Sequence, residues 1–199
     1  MAFSDNIWWT RKAKIQTANR LLNNACHANL LLLWYSFCST ATAIYYLNTN
    51  SAKTTNDLTG VGWAIFSVLA LCIAGFINGL TYKERAGLVK ACYEALDELY
   101  KKAKRAAPDD APQLSEEYAQ ILGSCENHTD RDYYLTLCIE HVTNSSKADK
   151  ESGLKLGLDR CPTWFHWAYL AKWYAKIYLL LFFLYALPIL LFLVLEKSQ

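Results

Sequence analysis

Three long stretches of this chain contain no charged residue: Ala28–Leu47, Gly60–Thr81 and Ile177–Leu195. A proton pump or an ion-coupled transporter needs an ionisable side chain within the bilayer. The absence argues against both and leaves a poorly selective pore open. Also missing are a Gly-rich phosphate loop, a Ser-His-Asp arrangement and paired carboxylates in an apolar setting. Glu116, Glu117, Asp130 and Asp132 fall at soluble, mostly helix-starting positions, where acidic side chains are ordinary. Neither an enzyme nor a cofactor is expected. No internal repeat or low-complexity tract is present. No apolar run precedes the charges of Met1–Arg20, so no secretory signal peptide is visible. The seven cysteines are odd in number and lack the spacing of a disulfide framework. Cys38 and Cys72 lie inside apolar runs and read as small packing residues; reduced thiols are the default for the others.

What is present is blocked hydrophobicity. Apolar residues make up 53% of the 199 and charged residues 19%, and the apolar ones are grouped rather than spread. That distribution favours a membrane protein over a large soluble core. A net charge of +2 says little about nucleic acid, and direct nucleic-acid binding is not expected.

The chain is organised around Gly60–Ala103, which no proline interrupts. Its uncharged part supplies the ~20 apolar residues that a ~30 Å bilayer core requires. Its charged part, from Tyr82, keeps a helical seam of Tyr82, Ala86, Val89, Tyr93, Leu96, Tyr100 and Ala103. The spacing predicts one long helix that leaves a bilayer near Tyr82. Such a seam needs a partner, from this chain or a second copy.

Taken in order, Met1–Arg20 carries Trp8 and Trp9 beside Arg11, Lys12, Lys14 and Arg20. Paired Trp beside bases suits either a membrane interface or a hydrophobic anchor in a soluble helix. A helical stripe of Ile15, Ala18, Leu22 and Cys26 follows. Spans are expected at about 28–47 and 60–80, joined by the short polar loop Asn48–Thr59 as an antiparallel hairpin. Four bases precede the first span, several follow the second, and the loop has only Lys53. The positive-inside rule then places the N-terminus and the region after Thr81 in the cytoplasm of a multi-pass membrane protein.

Beyond the break at Ala106–Gln113, a short helix Leu114–Leu122 stops at Gly123. Thr129 and Asp132 form a capping box that opens a second helix. Asn127 and His128 are expected to cap it too. The segment 143–160 reads as a linker. Cys161–Lys176 is rich in Trp and Tyr, as at an interface, and leads into Ile177–Leu195. That run either spans fully or inserts partway, with Pro188 expected to kink it. The fold class is therefore all-α: a transmembrane hairpin extended into a cytoplasmic helical bundle (helices at about 10–27, 82–106 and 114–142), plus a third apolar helix within 161–199.

Four constellations carry candidate function. Gly75 and Gly79 form a GxxxG motif, extended by Ala70, Ala74 and Asn78. Small residues let helices approach closely in lipid, either within the hairpin or between copies in a homo-oligomer. Ser36, Ser39 and Thr40 are polar within the first span; they line a pore or bond within the hairpin. Lys83, Glu84 and Arg85 sit where the second span ends. They meet anionic lipid of the bilayer, or Glu84 pairs with a base of the N-terminal helix. Lys101–Arg105 is either a solvated helix end or a contact for a nucleic acid or an acidic partner.

The order and spacing of these pieces resemble the SLATT family, two-transmembrane effectors associated with SMODS and SLOG proteins. The residues that carry the resemblance are Arg20-Leu21-Leu22, Lys83-Glu84-Arg85-Ala86, Cys92-Tyr93, Leu96, Leu99-Tyr100, Asn127-His128 and Asp132-Tyr133-Tyr134. The final apolar helix is similar to that of the branch associated with reverse transcriptases. The resemblance implies a domain over 1–142 and a structural role for Tyr93, Tyr100, Asn127, His128, Asp132 and Tyr133. It further implies an effector of bacterial antiphage defence that a partner sensor triggers, a reverse transcriptase or a nucleotide-signal system. Such effectors oligomerise and permeabilise the inner membrane in abortive infection. A non-pore membrane anchor that recruits a cytoplasmic partner is the alternative. Cys125-x-x-His128 and Cys138-x-x-His141 could be counted as four zinc ligands, but His128 already belongs to the family-like motif, and no metal is expected.

Overall fold

The computed structural model describes residues 3–49, 58–106, 110–146, 154–155, 157–158 and 160–197. Among the described residues six helices follow in order: α1 (Phe3–Thr49), α2 (Leu58–Gly79), α3 (Tyr82–Ala103), α4 (Ala111–Gly123), α5 (Asp130–Thr143) and α6 (Trp164–Lys197). Among the described residues there is no strand. Most of the loop expected at Asn48–Thr59 and much of the linker expected at 143–160 lie outside them. The chain divides into two compact units, one of Met1–Asn23 with Tyr82–Tyr174, the other of Asn24–Thr81 with Ala175–Gln199.

In the first unit, α3 buries Ala86, Val89, Cys92, Leu96 and Leu99. These steps of three and four form one face of a helix. The partner is α1 of the same chain. Ile7 packs with Cys92, Leu96 and Leu99; Ala18 and Leu21 pack with Ala86 and Val89. The seam thus differs from the expected one by a step: Cys92 and Leu99 are buried, while Tyr93 and Tyr100 are half-buried at its flank. A tyrosine keeps its hydroxyl near water there and lends only its ring. The α1 stripe shifts likewise to Ala18, Leu21, Ala25 and Ala28, and Leu22 and Cys26 are exposed. α4 covers the α1–α3 pair through Leu114, Tyr118 and Ile121. α5 meets another face of α1, where Trp9 packs on Leu137 and Leu158. Trp9 is 4% exposed, so it anchors the helical packing of this unit.

The uninterrupted helix expected from Gly60 to Ala103 is broken at Leu80 and Thr81. The backbone tightens there through Leu80 N–H to Ile77 O (3.2 Å) and Thr81 N–H to Asn78 O (3.4 Å). Thr81 has φ of 43°, the left-handed region that a β-branched residue rarely enters. Gly79, the poorest helix former nearby, closes α2 just before it.

The second unit is apolar on its outside. Among the described residues two runs are long and apolar enough to cross a membrane, Val61–Ala103 and Trp164–Val194, and only 6% of each apolar window is buried. A core helix of a soluble protein would be mostly buried. These helices instead present Leu71 at 73% and Phe76 at 71% exposure, as a lipid-facing surface does. The expected first span is the second half of α1. It is uncharged, but its hydroxyl and aromatic residues dilute it, and it is not among those two runs.

α6 runs through Pro188, which is fully buried. Proline has no N–H, so the Leu184 carbonyl four residues back loses its helical donor. Tyr35 of α1 supplies a replacement, its hydroxyl donating to Leu184 O at 2.8 Å. The Trp34 indole donates to the next carbonyl, Tyr185 O, at 2.9 Å. Side chains of a neighbouring helix commonly satisfy such freed groups in membranes. Tyr45 and Trp63 extend the contact to Phe192.

The Tyr35→Phe variant should therefore lose about 1–3 kcal/mol by leaving a buried carbonyl unpaired. In a Pro188→Ala background the same change should cost much less, because an alanine there restores the helical donor. Chemical unfolding of the four proteins in detergent measures the difference. Equal costs in both backgrounds would show that Tyr35 does not serve the proline's vacancy.

Candidate functional site

The polar centre of the first unit is Asp132. It is the third residue of α5, whose N-cap is Thr129. The Thr129 N–H and Oγ1 donate to Asp132 Oδ2 at 3.1 and 2.9 Å. A capping box explains why an acid sits at this position. The same carboxylate is fully buried, and α1 finds it. Thr17 Oγ1 donates to Oδ2 at 3.1 Å. Arg20 Nε lies 3.2 and 3.3 Å from its two oxygens, and Arg20 Nη2 pairs at 3.2 Å. A local capping residue thus doubles as the tie between α5 and α1.

Charges alternate outward from this tie. Arg20 Nη2 also lies 3.7 Å from Glu126 Oε1, in the turn before α5. Glu126 Oε2 in turn accepts from Arg85 Nε at 2.8 Å and from Arg85 Nη2. Asp132, Arg20, Glu126 and Arg85 therefore run in series and link α5, α1, the turn and α3. Their worth differs with burial. Removing one partner of a buried pair costs about 3–5 kcal/mol, which applies at Asp132. Arg85 is 40% exposed, and pairs near water contribute ~0–1 kcal/mol.

Lys14 lies beside this series. It is fully buried; its ammonium donates to Glu126 O at 2.5 Å and to Cys125 Sγ at 3.2 Å. Toward the start of α6, Arg131 stacks on the Trp173 ring at 3.5 Å from its centroid and donates to Tyr174 Oη at 3.2 Å. Burial, then the Lys14 charge, lower the His128 pKa, against the pull of Asp132 and Asp130.

The chain belongs to the SMODS and SLOG-associating 2TM effector domain family 5. The match covers residues 2–194 and so runs from α1 into α6. No curated protein and no solved structure matches the chain. For a SLATT domain, the motif residues sort clearly. Asp132 is the hub, and Tyr133 packs on Trp9 with ring centroids 6.2 Å apart. Tyr93 and Tyr100 flank the α1–α3 core. Asn127 is exposed and His128 half-buried, and it is Thr129 that caps α5.

At the end of the second span, Glu84 is exposed and the pairing residue is Arg85. The sign is opposite to the expected one, because the base comes from α3 and the acid, Glu126, from the turn. Lys83 is exposed. In the second unit, Ser39 Oγ lies 3.2 Å from Ser67 Oγ of α2. Thr40 bonds back to Ser36 O at 3.0 Å. A Cβ built on Gly75 or Gly79 meets no atom within 4 Å; Ala70 and Ala74 are half-buried and Asn78 is exposed. Lys101 and Lys102 pair with Asp97 (2.7 Å) and Glu117 (2.6 Å). Among the described residues, no three His, Cys, Asp or Glu converge as a metal requires.

Thr17, Lys14 and Glu126 are not singled out by motif reading. Their signal is faint: two polar residues, Lys14 and Thr17, on the face of α1 that turns to the core.

The lowered His128 pKa has a consequence for stability. A neutral His128 favours the fold above its unfolded pKa of ~6.5. As pH falls below that value the unfolded chain binds the proton first, so stability declines. Thermal unfolding from pH 7.5 down to pH ~5 should show a steeper loss for the native chain than for His128→Gln. Parallel curves would remove His128 from the pH response.

Proposed function

We propose that this chain is the membrane-acting component of a bacterial antiphage system. A partner sensor triggers it, copies assemble, and the inner membrane loses its barrier, arresting the infected cell. The family match carries this reading, since the matched domain is described as a two-transmembrane effector. The apolar exteriors of α2 and α6 support it. In this proposal the second half of α1, α2 and α6 all cross the membrane, and the bundle lies in the cytoplasm.

The open face at Gly75 and Gly79 supports assembly. No described residue comes within 4 Å of a Cβ built on either glycine, so the face is available to the same face of a second copy, where small residues permit close backbone approach. The Arg20–Glu126–Arg85 series acts as a restraint in this reading, because Arg85 opens α3 only a few residues after the break at Thr81. The sensor we favour is a reverse transcriptase, on the likeness of the final apolar helix to that branch of the family. Two of the four bases toward the end of α3, Lys101 and Lys102, already pair with Asp97 and Glu117, which favours a protein trigger over direct nucleic-acid binding.

Cells expressing the chain with its triggering partner test the proposal through a potential-sensitive dye. Triggering should collapse the membrane potential, and Gly75→Leu with Gly79→Leu should prevent it at equal expression. A potential that survives triggering, with a partner retained at the membrane, would establish the anchor role instead.

A further inference from the structure

We propose that the second unit holds an anionic phospholipid, with one acyl chain in a groove between α1 and α6 and its headgroup at Lys176. The inference rests on the proposed reading that the second half of α1 and α6 both cross the membrane.

The two helices run side by side in the same direction. Tyr35 bonds to the Leu184 carbonyl and, further along both, Tyr45 packs on Phe192. Beside this contact each helix gives a stripe at i, i+3, i+4 and i+7 to one groove of about 740 Å³. Leu30, Leu33 and Phe37 of α1 and Phe182 and Ile189 of α6 are its exposed walls. Trp34, Tyr185 and Ala186 are half-buried at its floor. The Trp34 indole N–H is bonded to the Tyr185 carbonyl, and the surface left is almost wholly apolar.

A hydrocarbon chain fits this groove and a helix of a second copy does not. Helices pack with their axes about 8–10 Å apart, and in lipid the close approaches are lined with small residues. Here Leu33, Phe37 and Phe182 project, and the one small residue, Ala186, lies at the floor. Eight residues line the groove, whereas a stable protein interface takes about 20–30 a side. A flexible chain passes between the projecting side chains and supplies the dispersion contacts that an empty groove forfeits. Seven residues of rise make the groove about 10 Å long, roughly a third of the hydrocarbon core, so it takes part of one chain.

Charge sets the headgroup. Lys176 immediately precedes the uncharged run Ile177–Leu195, and no acidic residue stands between Asp159 and Glu196. Lys176 is exposed. It lies about 9 Å before Phe182 along α6, where a lysine reaches the interface with its ammonium. Among the described residues of this unit it is the one Lys, Arg, Asp or Glu at the end where the groove begins. An anionic headgroup complements it.

The test uses the full chain in nanodiscs made with a phosphatidylglycerol that carries a diazirine on its acyl chain. The protein is extracted into detergent, freed of bulk lipid by gel filtration, and only then irradiated and mapped by digestion. The label should fall on the groove residues several-fold above Leu71 and Phe76 of α2, which are more exposed. Ala186→Trp, which fills the floor, should lose the lipid at unchanged helical content. Lys176→Gln should weaken phosphatidylglycerol retention about five-fold and leave phosphatidylcholine unaffected. Label spread equally over the groove and α2, or lipid retained by a folded Ala186→Trp, would overturn the proposal and leave the membrane reading intact. So would a disulfide between two copies at Leu33→Cys in nanodiscs, which would put a second copy in the groove. Where Ala186→Trp does not fold, the labelling of the unaltered chain decides. Nanodiscs irradiated before extraction that label neither α2 nor α6 would overturn the membrane reading itself.

Discussion

The Arg20–Asp132 ion pair holds the first unit of this protein to a single arrangement. Asp132 is fully buried, and a buried carboxylate persists only when its oxygens are satisfied. Thr17 and Arg20 of α1 and the Thr129 cap do so together. Because the capping box and the ion pair share one carboxylate, α5 cannot leave α1 without stripping Asp132 of its bonds to Thr17 and Arg20, with only Arg131 of its own helix, at 3.7 Å, left as a charge partner among the described residues. Apolar packing alone would tolerate some sliding of α5 along α1. The directional bonds of Thr17 and Arg20 to Asp132 set one register.

The second unit solves a related problem without charge. In lipid an unpaired carbonyl costs as surely as a buried ion does in a core. Pro188 creates one such carbonyl in α6, and Tyr35 of α1 answers it. The hydroxyls of Thr40, Thr42 and Ser67 bond back to their own helices, so the polar residues of these helices are largely satisfied at home. A pore lined by these hydroxyls would have to form by rearrangement or between copies, as the effector reading proposes. α1 is one unbroken helix contributing to both units, and its polar ties to Asp132 and to Leu184 lie on the same element.

Much of this was legible in the sequence. Two of the three uncharged runs fall in helices long and apolar enough to cross a membrane, because charge is excluded there for one dominant reason. The Thr129–Asp132 spacing marks the start of α5, because capping is local. The seam on α3 was legible to within one residue. Which of Cys92 or Tyr93 turns inward depends on how far a tyrosine hydroxyl must stay from the core, and a three-four repeat does not encode that. The break at Thr81 was not legible, since neither proline nor charge marks it. Nor were the ion pairs. Arg20 and Asp132 are 112 residues apart. Glu126 carries no local mark, whereas the nearness of Glu84 to the expected membrane exit suggests a pairing that the fold gives to Arg85.

A double-mutant cycle on Arg20 and Asp132 tests the central claim most directly. Stabilities of the native chain, Arg20→Leu, Asp132→Asn and the double variant would be read from chemical unfolding in detergent. Each single change should cost about 3 kcal/mol, since each strands a buried partner. The double variant should cost about 4 kcal/mol rather than the additive ~6, a coupling of ~2 kcal/mol. Additive costs would mean that the two side chains act independently, and the ion pair would not be what fixes α5 on α1.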